Sequence, residues 1–469
     1  MNPERCRSRR LSSLRASLAA AAGLAVFACS APPEREHAAA RSSATEAPAN
    51  NVLVIVLDDV GVDKVGVYGE HPSPPPTPNL DALARGGVLF RRAYAQPWCS
   101  PSRACLLTGR YGFRTGVGNP ISQQQADGSL PDAEITLPEA FELAAPGRID
   151  TSAIGKWHLT SRAANDWEHP NRQGFRWFEG TIGNLGSDRF DDYAKLTNGV
   201  LTRSTRYATS EQVDDALARM AAMTQPWFLY LSFNAIHEPF HAPPRELHDR
   251  ELAGEPWATA VEHSAAAMQA LDAEIGRLLA SMPPKLRAST TVVVVGDNGT
   301  ADMALAPPWK GPAKGQVSEA GTRVPMIVAG AAVKAPGREC RALVQVVDLF
   351  ATVGELLDLD LRAALPPELE LDSLSFAAQL RDPAAPPLRD HVYTETFAPN
   401  GRGPYTTRRR AIRDERWKLV EGWRGADRLF DLSADPFGEV DLLARGALDD
   451  EQRTAYARLL AKLRAMAGD

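Results

Sequence analysis

The chain has 469 residues, 44% hydrophobic and 23% charged, and its 52 Lys and Arg against 58 Asp and Glu leave a net charge of −6. The length allows about three domains, or equally one large α/β domain with a small companion, and the slight acidity argues against a nucleic-acid partner, which calls for a basic surface. No run of about 18 or more apolar residues is available to cross a membrane as a helix.

The first 15 residues carry Arg5, Arg7, Arg9, Arg10 and Arg15 and lead into the apolar run 16–28. A basic segment, a short apolar core and a small residue before Cys29 read as a signal peptide over 1–29. Val26-Phe27-Ala28-Cys29 resembles a bacterial lipobox, although Phe27 is bulkier than usual. Lipidation at Cys29 and ordinary cleavage nearby both stay open. Either makes the protein exported, periplasmic or anchored to the outer membrane of a bacterium. Residues 30–50, rich in Ala, Ser, Pro and Glu, form a flexible tether. Of the five cysteines, Cys6 and Cys29 belong to the leader, and Cys99, Cys105 and Cys340 remain. Three are no disulfide framework. Cys105 and Cys340 read as two buried thiols, with a bridge between them as the alternative.

A catalytic domain is expected over 51–385. Asn51–Leu57 is nearly all apolar and β-branched, the pattern of a strand buried on both faces, and Asp58-Asp59 follow at once. Similar runs lie at 226–233, 291–295 and 324–329, with helical patterns between them over 211–223 and 258–280. Strands alternating with helices predict an α/β fold with a mostly parallel central sheet flanked by helices. After a Pro- and acid-rich stretch near 365–390, short strands are expected at 391–395, 410–413, 417–420 and 428–431. A last helix bears Tyr456, Leu459, Leu460, Leu463 and Met466 on one face. We place a C-terminal subdomain, a small antiparallel sheet plus helix, at 386–469. Arg408-Arg409-Arg410 reads as a solvated strand edge, with contact to an anionic glycan as the lesser alternative.

Within Gln96–Arg110, Ser100 suits an N-cap and Pro101 the first helical position, so a helix is expected directly after Cys99, closed by Gly109. Cys99 then sits at the positive end of that helix, with Arg103 one turn inside. Cys99-Ser-Pro-Ser-Arg103, followed by Leu107-Thr-Gly-Arg110, resembles the signature of the type I sulfatases of the alkaline phosphatase superfamily. Further matching motifs follow the family order: Leu57-Asp-Asp-Val-Gly61, Thr77-Pro-Asn-Leu-Asp81, Gly155-Lys-Trp-His-Leu159, Gly296-Asp-Asn-Gly299 and Lys314-Gly…Glu319…Arg323-Val-Pro325. The resemblance runs from Asn51 to about Leu443. It implies an arylsulfatase-like hydrolase of aryl or carbohydrate sulfate esters. Its nucleophile would be Cα-formylglycine, made from Cys99 by a formylglycine-generating enzyme.

Asp58, Asp59, Asp297 and Asn298 each follow a buried strand, where ligands of α/β sheets gather. Three carboxylates and an amide suit a hard cation, and the resemblance favours Ca²⁺ over Mg²⁺, with hydrated residue 99 as a further ligand. The resemblance also makes His158 the base on the formylglycine hydroxyl and Lys156 a cation near sulfate. Both are expected on one side of a strand. His237 is preferred to His241, and Lys314 to Lys310, as partners of the sulfate and the leaving group. Relatives that hydrolyse phosphate or phosphonate esters commonly present His where Asn298 stands, so that reading on the same scaffold is second. A non-catalytic sulfated-glycan binder is third. Trp157, Trp167, Trp177 and Phe178 are offered both to packing and to stacking on a substrate ring. Substrate loops are expected at 117–132, 160–190 and 397–410.

Overall fold

The computed structural model describes residues 50–185, 189–422 and 425–467. The leader, Cys29 and nearly all of the tether lie outside them. In chain order the strands are β1 (Asn51–Leu57), β2 (Gly87–Phe90), β3 (Ala93–Tyr94), β4 (Asp150–Lys156), β5 (Trp177–Thr181), β6 (Tyr193–Thr197), β7 (Val200–Ser204) and β8 (Trp227–Ser232). They continue with β9 (Thr290–Gly296), β10 (Met326–Gly330), β11 (Arg338–Cys340), β12 (Val344–Gln345), β13 (Val392–Ala398), β14 (Thr407–Arg413), β15 (Trp417–Glu421) and β16 (Arg428–Asp431).

Ten of them make one sheet in the order β11-β2-β10-β9-β1-β8-β4-β5-β6-β7. Its centre, β9-β1-β8-β4-β5, is parallel throughout. The alternation of β1 sorts its side chains between two cores. Val52, Val54 and Val56 pack on one face with Phe228, Tyr230, Val293 and Val295. Leu53, Ile55 and Leu57 pack on the other with Leu229, Leu231, Val292 and Val294. Helices Cys99–Thr108 and Leu349–Leu356 cover the first face through Leu106, Leu107, Phe350 and Val353. Helices Ala208–Ala222 and Ala260–Ser281 cover the second through Met220, Leu271, Ile275 and Leu278. A strand buried on both faces admits a polar side chain only where it finds a partner, as Asn51 does in Gln225 and Ser289, which explains the apolar run of β1 after it.

The C-terminal strands form a separate antiparallel sheet, β13-β14-β15-β16. Helix Asp450–Ala467 lies against it, burying Leu459 and Leu463 on Ile412, Trp417, Leu419 and Leu429. This is the small sheet plus helix that the sequence predicts.

Two expectations need correction, and one open choice is decided. Arg408–Arg410 is only in part a solvated edge: Arg409 is exposed and, like Arg408, lies before the stretch of β14 that β15 covers, whereas Arg410 sits between β13 and β15. Arg410 is buried, with Nε and Nη2 donating to Glu421 at 2.6 and 2.7 Å, and Arg408 lies 3.7 Å from buried Glu395. Of the two readings left open for Trp157 and Phe178, packing holds, since both lie in the core. Trp157 Nε1 donates to His169 Nδ1 at 3.0 Å. Finally, Cys99 is itself the first residue of its helix and extended Trp98 precedes it. The Ser100 hydroxyl is spent elsewhere, accepting the Ile121 N–H at 3.1 Å. Cys99, Cys105 and Cys340 are buried free thiols.

Candidate active site

Four neighbouring parallel strands, in the order β9-β1-β8-β4, end together, and each delivers its next residues to one place. Leu57 is opposite Gly296, so Asp58-Asp59 and Asp297-Asn298 emerge side by side. Ser232 lies opposite Val56 and Gly155, which brings Lys156 to the same edge. This is where an α/β sheet presents its ligand site.

The helix bearing Cys99 enters from the first face. Gly109, at φ 69°, closes it in a left-handed conformation that other residues adopt only with strain. Arg103, one turn inside the helix, is fully desolvated and donates through Nε and Nη2 to Asp297 Oδ2 at 3.2 and 2.8 Å. Its Nη1 donates to the Lys156 carbonyl at 3.0 Å and to the Ser232 hydroxyl. Ser232 was missed by motif reasoning. Its signal is positional, a polar residue closing the apolar strand β8.

Each carboxylate faces a cation. Lys156 Nζ donates to Asp58 Oδ2, and Lys314 Nζ to Asp59 Oδ2 at 2.6 Å. Burial pushes the Asp297 carboxyl up to about 6, with Asp58 adding to the rise and Arg103 opposing it. Burial would also raise Asp59, yet Lys314, His237 and Lys156 outweigh it and hold that carboxyl well below the usual range. Lys314 loses some charge stabilisation to burial, but Asp59 more than restores it and raises its pKa. Gly315 lets the Lys314 turn approach this closely: it sits at φ 81°, and a Cβ there would meet the Trp98 ring at 2.2 Å. Exposed Lys310 instead pairs with Glu439.

His158 lies beyond the end of β4 rather than on it, at φ 57°. It does not share a strand face with Lys156, as the sequence reading assumed. The left-handed turn aims its ring at the helix: Nδ1 is 3.2 Å from Cys99 Sγ, and Nε2 is 3.1 Å from the Ile121 carbonyl. A carbonyl only accepts, so Nε2 carries the proton and the Nδ1 lone pair faces residue 99. Burial, reinforced by Lys156 and Arg103, keeps this imidazole far below its ordinary pKa and therefore neutral. The same burial raises the Cys99 thiol, against the pull of Lys156 and Lys314. Asp59, at φ 62°, is a second left-handed residue of the site. Backbone conformations of this kind concentrate where function over-determines the structure.

His237 belongs here and His241 does not. His237 Nδ1 is 2.8 Å from the Glu238 carbonyl, leaving Nε2 as an acceptor 3.9 Å from Asp59 Oδ2. Burial, with Lys314 adding to it, lowers His237 to about 3. His241 stacks on Phe190 at 3.9 Å and bonds Tyr207. The other nine site residues singled out in the sequence thus lie together with Cys99 at this end of the sheet.

The donor set suits a divalent cation. Among the described residues, Asp58 Oδ1 and the Asn298 amide oxygen are buried without a hydrogen-bond partner, Arg103 Nη2 standing off Asp58 Oδ1 at 3.8 Å, and such atoms are rare unless something else satisfies them. Atoms of Asp58, Asp59 and His237 also lie within 4.8 Å of one another. Carboxylate and amide oxygens are hard donors, as Ca²⁺ and Mg²⁺ prefer. The three carboxylates and the cations Lys156, Lys314 and Arg103 nearly cancel. A bound divalent ion would therefore give the site the positive charge that an oxyanion ester needs.

Residues 50–359 match the family described as Sulfatase. The chain is 28% identical to Arylsulfatase J of Mus musculus over 458 residues, covering 84% of this chain and 73% of that protein. It is 31% identical to N-acetylgalactosamine-6-sulfatase of Sus scrofa over 349 residues, 66% of this chain and 62% of that protein. Among solved structures, Ps i-CgsB in complex with k-i-k-neocarrahexaose superposes with a TM-score of 0.72 at 23% identity, covering 89% of this chain and 93% of that one. PsFucS1 sulfatase from Pseudoalteromonas sp. gives 0.68 at 22% identity, covering 89% and 91%. These structural likenesses speak to the fold.

Proposed function

The chain belongs to the sulfatase family, and from that membership and the geometry around Cys99 we propose that it hydrolyses sulfate esters of phenols or sugars to the alcohol and inorganic sulfate. The observation that carries this reading is the neutral Nδ1 of His158, 3.2 Å from Cys99 Sγ, inside a ring of three carboxylates and three cations.

Formylglycine made from Cys99 would supply a hydrated aldehyde as the nucleophile towards sulfur. A divalent cation held by Asp58, Asp59, Asp297 and Asn298 would supply Lewis acidity and fix the reacting oxygens. An all-oxygen donor set suits Ca²⁺ and Mg²⁺ alike, and Ca²⁺ is our choice on the strength of the family resemblance. Arg103 orients residue 99 from within the helix and locks Asp297. Lys156 and Lys314 offer protonated amines to the sulfate oxygens, as preorganised stabilisation requires. Lys314, held protonated by Asp59, is the donor to the departing alcohol. In this structure His237 has its only proton committed to the Glu238 carbonyl, so its Nε2 accepts. His158 takes the proton from residue 99 at Nδ1, while the Ile121 carbonyl fixes the tautomer that leaves Nδ1 free.

Replacing His158 with alanine lowers kcat by about 10²–10⁴-fold, the usual contribution of a positioned base. Steady-state assays with 4-nitrophenyl sulfate measure it, and wild-type turnover in that variant would remove His158 from the mechanism. Chelation of the purified protein abolishes turnover and lowers the thermal midpoint, and Ca²⁺ restores both. At a hundred-fold excess over Kd such a ligand adds about 2.7 kcal/mol. An unchanged midpoint and full activity after exhaustive chelation would contradict a metal. The class of ester is tested by kcat/KM for matched aryl sulfate and aryl phosphonate esters. Preference for the phosphonate would overturn the sulfatase reading. The basic leader and the apolar run before Cys29 support export to the periplasm or a lipid anchor.

A further inference from the structure

Two loops carry the oxygen donors of the site, one leaving β1 with Asp58-Asp59 and the other leaving β9 with Asp297-Asn298. They are tied together at the donors themselves. The Asp59 N–H donates to Asp297 Oδ1 at 3.1 Å, and Asn298 Nδ2 to Asp59 Oδ1 at 2.8 Å. A second row of contacts joins them two residues further along each loop, and it includes none of the donors. The Gly61 N–H donates to Thr300 Oγ1 at 3.0 Å, and Thr300 Oγ1 donates to Asp63 Oδ1 at 2.6 Å. An amide N–H can only donate, so the hydroxyl proton points to the carboxylate. Lys64 Nζ, 3.7 Å from Asp63 Oδ2, donates to the Ala304 carbonyl and closes the row.

This row is buried throughout: Asp63, Lys64 and Thr300 are each at most 3% exposed. A buried ion pair is a poor source of stability, since apolar side chains of similar volume commonly serve as well or better. What a carboxylate and a hydroxyl add is direction. Thr300, on the β9 loop, is gripped from the β1 loop at both its lone pair and its proton. The fit leaves no slack, because a Cβ at Gly61 would stand 2.7 Å from Asp63 Oδ1 and 2.9 Å from Thr300 Oγ1. Asp58 Oδ1 and the Asn298 amide oxygen come one from each loop. They can serve a single ion only if the two loops keep a fixed separation.

We propose that Asp63 and Thr300 are positioning residues of the cation site, holding Asp58-Asp59 and Asp297-Asn298 at the separation that one divalent ion requires. Groups behind the ligands of a metal commonly set its affinity by about 10–100-fold. The inference rests on the cation reading above and adds to it the residues that fix its geometry.

The test is a calorimetric titration of Ca²⁺ into the chelator-treated full-length protein, well below its thermal midpoint. Thr300→Val keeps the shape of the side chain and removes the hydroxyl, and its Kd is expected to rise about 10–100-fold. Thr300→Ser keeps the hydroxyl and is expected to bind like the wild type. Asp63→Ala/Lys64→Met removes the acceptor without stranding a buried charge, and it should weaken Ca²⁺ as Thr300→Val does. A merely structural role would lower the thermal midpoint of the metal-free variants and leave Kd unmoved. A wild-type Kd in Thr300→Val, or a Thr300→Ser that binds as weakly as the valine variant, overturns the positioning role. Should Thr300→Val not fold, the double variant decides by the same measure. If the wild-type protein takes up neither Ca²⁺ nor Mg²⁺, the cation reading fails and the positioning role falls with it. That outcome is distinct from binding that wild type and variants share, which overturns the positioning role alone.

Discussion

Cys99→Ala is expected to fold, to keep its metal-dependent thermal midpoint and to turn over no sulfate ester. The side chain is small, buried and at the first position of its helix, where alanine is readily accommodated. Loss of a thiol from a packed site costs stability on the scale of a methyl group, about 1 kcal/mol. The chemical loss is far larger. Removing the group that attacks takes away the whole covalent route, which in well-studied hydrolases is worth about 10⁵-fold or more in kcat. Circular dichroism and thermal unfolding report the fold, and sulfate release from 4-nitrophenyl sulfate reports the chemistry. Substantial turnover by the alanine variant would mean that residue 99 is not the nucleophile.

Glu319→Gln is expected to destabilise the protein by about 3–5 kcal/mol, the cost of leaving buried cations without their counter-charge. Glu319 lies in the motif after Lys314, on the short helix Glu319–Thr322, and reaches the C-terminal sheet. Its Oε1 accepts from Lys418 Nζ at 2.8 Å. Its Oε2 accepts from Tyr94 at 2.9 Å and from Arg413 at 3.2 Å. All four residues are buried. Burial alone would raise the Glu319 carboxyl, but Lys418 and Arg413 outweigh it and hold the pKa at about 2 instead of 4.5. A carboxyl lowered on folding stabilises the native state above its unfolded pKa and loses that contribution as pH falls through the folded value. The wild-type protein therefore loses this increment between pH 4.5 and about 2, whereas Glu319→Gln lacks that part of the slope. Urea unfolding of both proteins across this range measures it. Parallel pH profiles, or a loss below about 1 kcal/mol, would show that the cluster contributes no such increment. Activity should fall as well, since the Gly321 carbonyl of the same helix accepts the N–H of Gly299, next to Asn298.

The division between what could be read in the sequence and what could not follows the range of the forces involved. Apolar runs mark β1, β8 and β9, because a strand buried on both faces admits polar side chains only at its ends, where they find partners. Asp58-Asp59 and Asp297-Asn298 were legible as polar groups placed directly after those runs. The helix start was misplaced by one residue, because Ser100 could cap the backbone locally or bond Ile121, and only the folded chain decides. His158 was assigned to a strand since alternation is the default beyond Gly155; its left-handed turn answers to Cys99 and Ile121, both distant in sequence. Arg408 and Arg410 read as part of a solvated edge because their partners Glu395 and Glu421 lie on other strands, while Arg409 is exposed. Ser232, Asp63 and Thr300 carried no motif, and they become visible only through the neighbours that strand register and loop geometry bring to them.

The central claim is that residue 99 is no longer a cysteine in the working protein, and mass spectrometry of the tryptic peptide Ala93–Arg103 from protein made in its native host tests it most directly. The account predicts a peptide lighter by the difference between thiol and aldehyde, which a hydrazide reagent then captures. An intact Cys99 thiol in folded protein that hydrolyses sulfate esters would contradict it.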